Sequence, residues 1–333
     1  MRVMIFGCGY SGQAIAGAFK ADGAPVSGTA RTAEKVRDLA ARGIQAFVFD
    51  GNPFSDELLA ELKDITHLVQ SVPPTRVKSQ PLSHPASGTP QQLPSSPQGE
   101  DARRADEGAA PSPAAPPSQE GDPLLKLMAG RIVELCPRLE WIGYLSTVGV
   151  YGDHDGGWVT EDTPGSPIQG RSIERVDTED AWAAEGKAAG VPVAALRLSG
   201  IYGPGRNAFV NLARGTARRI IKKDQVFNRI RVEDIGGAAL FLGGRRLGGI
   251  YNVTDDEPGP PQDVIVEAAR LMGVEPPPEQ DFDTAEMTPM ARSFYGANKR
   301  VSNAKIRAAG FQFRFPNYRM SLAEMWSMKR WEG

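Results

Sequence analysis

The feature that most constrains this chain is Phe6-Gly7-Cys8-Gly9-Tyr10-Ser11-Gly12. This G-x-G-x-x-G follows the apolar run Val3–Phe6 and opens the amphipathic stretch Gln13–Asp22, whose Ile15, Ala18 and Phe19 share one face. Gly7 permits a tight turn, Gly9 lets the backbone approach a diphosphate, and Gly12 lets the helix pack close to the strand. The helix N-terminus then offers amides and the positive end of its dipole to phosphate. Strands and helices keep alternating through Val26–Ala30, Ala33–Ala41, Ala46–Phe49, Ser55–Leu62 and His67–Ser71. That order implies a parallel sheet covered on both faces. The predicted fold is α/β, a Rossmann doubly wound parallel sheet with a smaller C-terminal substrate lobe.

The alternation breaks at 77–122. Only Val77, Leu82 and Leu93 are large aliphatics there, no aromatic occurs, and Pro, Ser, Gln, Ala and Gly crowd the rest. Such a segment buries too little apolar surface to offset its ordering entropy, so a disordered low-complexity insertion is expected. The nucleotide-binding domain is expected to comprise 1–76 and 123–205, with a helix over Pro123–Cys136, a strand over Glu140–Ser146, a helix over Thr178–Ala189 and a strand over Val193–Leu198. Residues 206–333 are expected to form most of the substrate lobe, interleaved with the last strands. Helices are predicted over Phe209–Ile221, Ile235–Leu242 and Pro261–Met272, and a strand over Gly249–Val253.

Bulk properties exclude several functions. The 333 residues carry a formal net charge of −2, which argues against nucleic acid or an anionic membrane surface as partner. No apolar run is long enough to span a bilayer, and Met1–Gly7 lacks a signal-peptide layout. Cys8 and Cys136 are the only cysteines, and neither they nor His67, His84 and His154 have metal-ligand spacing. A cytoplasmic protein without a metal is expected.

The second strand bears on the choice of dinucleotide. A carboxylate at its tip would bond a ribose 2′-hydroxyl, whereas an arginine accommodates a 2′-phosphate. Gly28-Thr29-Ala30-Arg31-Thr32 carries no acid there, so Arg31 is the candidate for the 2′-phosphate and NADP is expected over NAD; the bland alternative is a solvated arginine. Asp50 either meets the adenine or simply begins the Asp50-Gly51-Asn52-Pro53 turn. Ser71-Val72-Pro73 should pass under the cofactor, and Tyr10, Ser11 and Ser199 complete the expected cofactor-binding set.

Three later segments resemble one family. Leu145-Ser146-Thr147-Val148-Gly149-Val150-Tyr151-Gly152, Leu196-Arg197-Leu198-Ser199-Gly200-Ile201-Tyr202-Gly203-Pro204-Gly205 and Arg229-Ile230-Arg231-Val232-Glu233-Asp234-Ile235 look, in this order, like an atypical member of the extended short-chain dehydrogenases/reductases, the NAD(P)-dependent epimerase/dehydratase family. The tail Asn298-Lys299-Arg300-Val301-Ser302-Asn303 points to the same atypical subgroup. In that family a Ser or Thr, a Tyr and a Lys cooperate in proton and hydride transfer. The resemblance implies Thr147, with Ser146 beside it, as the hydroxyl, but puts Arg171 and Arg175 at the tyrosine and lysine places. A guanidinium stays charged, so Arg171 cannot serve as the acid or base, while Arg175 retains a ribose- or phosphate-binding role. Tyr151 is the first substitute acid, ahead of Glu174 and Tyr202; its bland reading is a packed aromatic. Asp122 is either part of a proton relay or a helix N-cap ahead of Pro123. Arg231 and Asp234 either line the substrate cleft or form a surface ion pair.

The expected function is that of an NAD(P)-dependent oxidoreductase or epimerase acting on a polar carbonyl or hydroxyl metabolite such as a nucleotide sugar. The alternative is a catalytically degenerate NADP-binding sensor or regulatory module. A small-molecule substrate is the expected partner, and the resemblance allows a homodimer through the helices between the fourth and fifth strands.

Overall fold

The computed structural model describes residues 1–74, 121–168 and 170–333. The predicted insertion therefore lies outside the described residues, apart from Gly121 and Asp122, and so does His84.

The central sheet contains seven parallel strands: β1 (Val3–Phe6), β2 (Val26–Ala30), β3 (Gln45–Val48), β4 (His67–Gln70), β5 (Trp141–Thr147), β7 (Val193–Leu198) and β11 (Gly249–Val253). Six shorter strands pair off outside it. β6 (Trp158–Val159) pairs with β13 (Arg300–Val301), β8 (Gly200–Tyr202) with β10 (Arg229–Arg231), and β9 (Arg219–Ile221) with β12 (Glu279–Asp281). Strand order in the large sheet is β11-β7-β5-β4-β1-β2-β3. β1 and β4 are buried along their whole length, the signature of strands covered on both faces. The order reverses between β1 and β4, which opens a crevice beyond their carboxyl ends. The sheet thus places the glycine loop, which follows β1, at the carboxyl-end crevice.

Two apolar layers hold the sheet. Ile15 and Phe19 of α1 (Tyr10–Ala21) meet Ile235, Ala239 and Leu242 of the helix Val232–Gly244 on one face. On the other face Leu58 and Leu62 of α3 (Asp56–Leu62) join Leu124, Met128, Ile142 and Trp182. α2 (Ala33–Ala41) is capped by Thr32 and α3 by Ser55, each hydroxyl accepting an amide three residues on.

Three predicted elements differ. The helix expected over Pro123–Cys136 is broken into α4 (Pro123–Met128) and α5 (Ile132–Leu135), because Gly130 takes a φ of +69° between them. The helix expected over Phe209–Ile221 ends early, as α7 (Ala208–Ala213). Gly215 takes a positive φ, and Arg219–Ile221 then becomes β9, where its β-branched pair finds a parallel partner in β12. The helix expected from Thr178 starts earlier, as α6 (Gly170–Ala189). β11 closes the sheet edge beside β7, although it lies far along the stretch predicted to form the lobe. Among the described residues no helix is long and apolar enough to cross a membrane.

Candidate active site

The glycine loop builds the first half of the site. Gly7 turns with φ +82°, its amide bonds Thr29 Oγ1 at 3.0 Å, and a Cβ there would lie 3.0 Å from both Cγ2 and the amide nitrogen of Val72. Gly12 packs so closely that a Cβ would fall 2.8 Å from the Gly7 carbonyl oxygen. Gly9 differs from both: a Cβ there would meet nothing within 4 Å, and as N-cap of α1 it supplies no side-chain acceptor. The first-turn amides of α1 are thereby left to face open space, the arrangement that receives phosphate.

That space is a cavity of about 710 Å³, lined by Gly7, Gly9, Tyr10, Ser11, Arg31, Asp50, Ser71, Val72 and Pro73. Two cations that the sequence reading missed, Lys35 and Arg42, stand with Arg31 on its wall, together with the acid Asp38. Their signal was available, since Lys35 lies in the first turn of α2 and Arg42 just past its end. Asp50 lines the cavity, yet its two oxygens accept the Asn52 amide at 3.1 Å and side chain at 3.0 Å, which holds the carboxyl below its usual range. Asp50 thus closes the bend to Asn52 while standing on the cavity wall. Tyr10 donates to the Pro204 carbonyl at 3.0 Å, tying α1 to the loop after β8.

A second cavity, of about 770 Å³, shares Ser11, Ser71 and Pro73 with the first. Ser146, Thr147, Arg175 and Ser199 meet on its wall, and Ser172, Arg206, Asn228 and Lys299 join them without having been expected. Thr147 Oγ1 accepts the Gly149 amide at 3.1 Å, capping the 3₁₀ turn Val148–Tyr151. Ser146 donates to Glu179, whose carboxylate is clamped by Arg197. Arg175 donates to the Leu145 carbonyl and, at 3.2 Å, to the Tyr144 hydroxyl, while burial pushes that phenol up to about 12. Ser199 Oγ is buried with no partner among the described residues. Among those residues, no carboxylate and no tyrosine lines this cavity.

Four expected site residues serve the framework instead. Tyr151 is fully buried, donates to Asn252 Oδ1 at 2.7 Å and lies 4.8 Å below the Arg197 guanidinium, so it is the packed aromatic and not an acid facing substrate. Tyr151→Phe is expected to cost about 1–2 kcal/mol in a denaturant titration, because Asn252 loses a buried donor. Asp122 is the N-cap of α4. It accepts the amides of Leu124 and Leu125 and is further held by Gln70 and Trp182 from inside the core. Arg231 is wholly buried between α8 (Val232–Gly244) and the C-terminal helix Tyr318–Ser327; it grips Glu233 at 2.6 Å and Ser321 Oγ at 2.8 Å and stacks over Phe315. Asp234 accepts the amides of Arg314 and Phe315 at 2.8 and 2.9 Å. Both were expected in the cleft or on the surface; they fasten α8 to the chain's end. Of the other stand-ins, the Tyr202 hydroxyl is buried and pushed above the phenol range, and Glu174 lines neither cavity. The Arg171 side chain lies outside the described residues.

No family model matches the chain. Protein YeeZ of Escherichia coli K12 is 27% identical over 324 residues, covering 95% of this chain and 97% of its own. A conserved protein of unknown function from Silicibacter pomeroyi DSS is 37% identical, with a TM-score of 0.76 and 98% of both chains covered. More distant structures share the fold. Human epimerase family protein SDR39U1, with NADPH, is 17% identical at a TM-score of 0.69, over 98% of this chain and 99% of its own. UDP-glucose 4-epimerase of Thermus thermophilus, with NAD, is 19% identical at 0.66, over 97% and 98%. The chain belongs to one family with the Silicibacter pomeroyi protein, and its fold is that of the extended short-chain dehydrogenases/reductases, the NAD(P)-dependent epimerase/dehydratase type.

Proposed function

We propose that this chain binds NADP(H) and carries out oxidoreduction or epimerisation at a carbonyl or hydroxyl carbon of a polar, anionic metabolite such as a nucleotide sugar. One observation carries the reading. A cavity built on the glycine loop runs, through Ser11, Ser71 and Pro73, into a second cavity that bears Arg175, Arg206 and Lys299 and, among the described residues, no carboxylate. The structural neighbours seen with NADPH or NAD support the same reading.

The residues present fit such a dinucleotide, since the space over Gly9 is the cradle a side chain would fill. When bound, a nicotinamide dinucleotide supplies a hydride donor or acceptor. The amides of the first turn of α1 hold the diphosphate, and Arg31, with Lys35 and Arg42, holds the 2′-phosphate. Thr147 orients the substrate oxygen, and Arg175, fixed by Tyr144 and Leu145, faces the ribose. Arg206 attracts the anionic part of the substrate. Free, buried thiols at Cys8 and Cys136 suit a reducing compartment such as the cytoplasm.

Calorimetric titration of NADPH and NADH tests the reading. Wild type is expected to prefer NADPH, and Arg31→Ala to lose about tenfold of that preference, the effect of one exposed charge-assisted contact. Equal affinity for both cofactors in the wild type overturns the choice of NADP. A second reading has its own support in the absence of a tyrosine lining the second cavity, among the described residues. In it the chain is an NADP-binding module that reports redox state to a partner. Under that reading NADPH raises the melting temperature while turnover stays undetectable across carbonyl and sugar-nucleotide panels; robust turnover removes it.

A further inference from the structure

The second cavity holds a buried basic side chain that stands outside the Ser/Thr, Tyr and Lys places of the resemblance. Lys299 is only 6% exposed, and its Nζ donates to the Gly152 carbonyl at 2.6 Å. Gly152 directly follows the 3₁₀ turn that Thr147 caps, so the ammonium and the substrate-orienting hydroxyl are carried by the two ends of one turn. Asn228 holds the segment that carries the lysine, donating to the Lys299 carbonyl at 2.9 Å and accepting the Val301 amide at 2.8 Å. No carboxylate pairs with Nζ among the described residues. Asp153, whose field pulls the ammonium up, spends Oδ1 on the Asn298 amide at 2.7 Å.

We infer that Lys299 is the proton-handling group of the second cavity, its neutral amine taking the proton of a substrate hydroxyl and its ammonium returning one to the oxygen. In the forward transfer the O–H bond breaks, an N–H bond forms, and oxygen keeps the electron pair; the reverse transfer restores both. This rests on the proposed function and fills the role left open by arginine at the tyrosine place. Burial pushes the Lys299 ammonium down to about 8, against the pull of Asp153. An amine in that range exchanges protons readily at neutral pH, which neither a guanidinium nor a buried phenol does. The other charged or titratable groups around it are His154 and Asp224, which contact Asn298 through their backbones, Arg300 beside it, and Arg175 and Arg206 on the same cavity.

The test follows lysine Cε signals by NMR in protein labelled with ¹³C-lysine. One signal is expected to titrate near pH 8 and to be missing from both Lys299→Arg and Lys299→Gln, two variants that guard against one failing to fold. Inorganic phosphate, as a probe anion, is expected to raise that midpoint by roughly 0.5 unit or more, because a nearby negative charge favours the ammonium. A Lys299 amine that titrates with surface lysines, above about 10, overturns the assignment. A midpoint indifferent to phosphate overturns its placement in the ligand cavity. NADPH titration runs in parallel, with Lys299→Gln expected to bind as wild type does. Lost NADPH binding in a wild type whose amine still titrates near 8 sinks the cofactor reading alone; intact binding with an amine above about 10 sinks the lysine's role alone.

Discussion

Gly9→Val is expected to leave the protein folded and to weaken NADPH binding by about 100-fold or more, a loss of roughly 2.7 kcal/mol. The two effects separate because of what surrounds this residue. Its backbone is extended, at φ −81° and ψ −152°, a region any residue adopts, and its Cβ position meets nothing within 4 Å. An added Cβ therefore meets open space among the described residues. It does fill the space over the first-turn amides, where the diphosphate must come within hydrogen-bonding distance. Gly12→Val is the contrast. Its Cβ would sit 2.8 Å from the Gly7 carbonyl and 3.3 Å from Ile5, so helix and strand must separate and stability falls with binding. Thermal melts paired with calorimetric NADPH titrations distinguish the two variants. If Gly9→Val melts like wild type and still binds NADPH with wild-type affinity, the loop is an ordinary strand-to-helix turn and the dinucleotide reading falls.

The cofactor half of the site could be read from the chain because its determinants are local. Three glycines, the strand before them and the helix after them lie within some twenty residues, and their roles follow from backbone sterics alone. The same holds for Thr32 and Ser55, whose hydroxyls cap helices within three residues. The substrate half was much less legible, since its contacts bridge long separations. Lys299 reaches Gly152 across 147 positions, and Tyr151 finds Asn252 across 101. Nothing near Tyr151 in sequence says that its hydroxyl is already spent. Arg231 misled for a related reason. An arginine followed by Glu233 and Asp234 reads as a solvated charge cluster, and only the return of the C-terminal helix, with Ser321 and Glu324, buries it. The helix expected over Phe209–Ile221 failed where a short apolar run fits either period, and the choice fell to the distant partner strand β12.

The largest effect on stability is expected at Glu179, beneath the floor of the second cavity. Glu179 and Arg197 are each 5% exposed, and the carboxylate accepts Arg197 Nη2 at 2.7 Å and Nε at 3.1 Å while also receiving the Ser146 hydroxyl. Arg197 has little else to turn to, since its Nη1 has no partner among the described residues and its remaining contact is the Tyr151 ring. Glu179→Ala strands a buried guanidinium, so unfolding in urea should become easier by about 3–5 kcal/mol. Replacing both partners by apolar residues of similar size, Glu179→Leu with Arg197→Met, should recover most of that loss, because the cost comes from one charge left alone and not from the absence of a pair. A single variant within about 1 kcal/mol of wild type would mean that the guanidinium finds water or another acceptor in this layer. A double variant as unstable as the single one would mean that the pair itself, through its grip on Ser146, sets the shape of the cavity wall. The expected recovery would instead make Glu179 and Arg197 a neutralised support, with Thr147, Arg175 and Lys299 left to carry the chemistry above it.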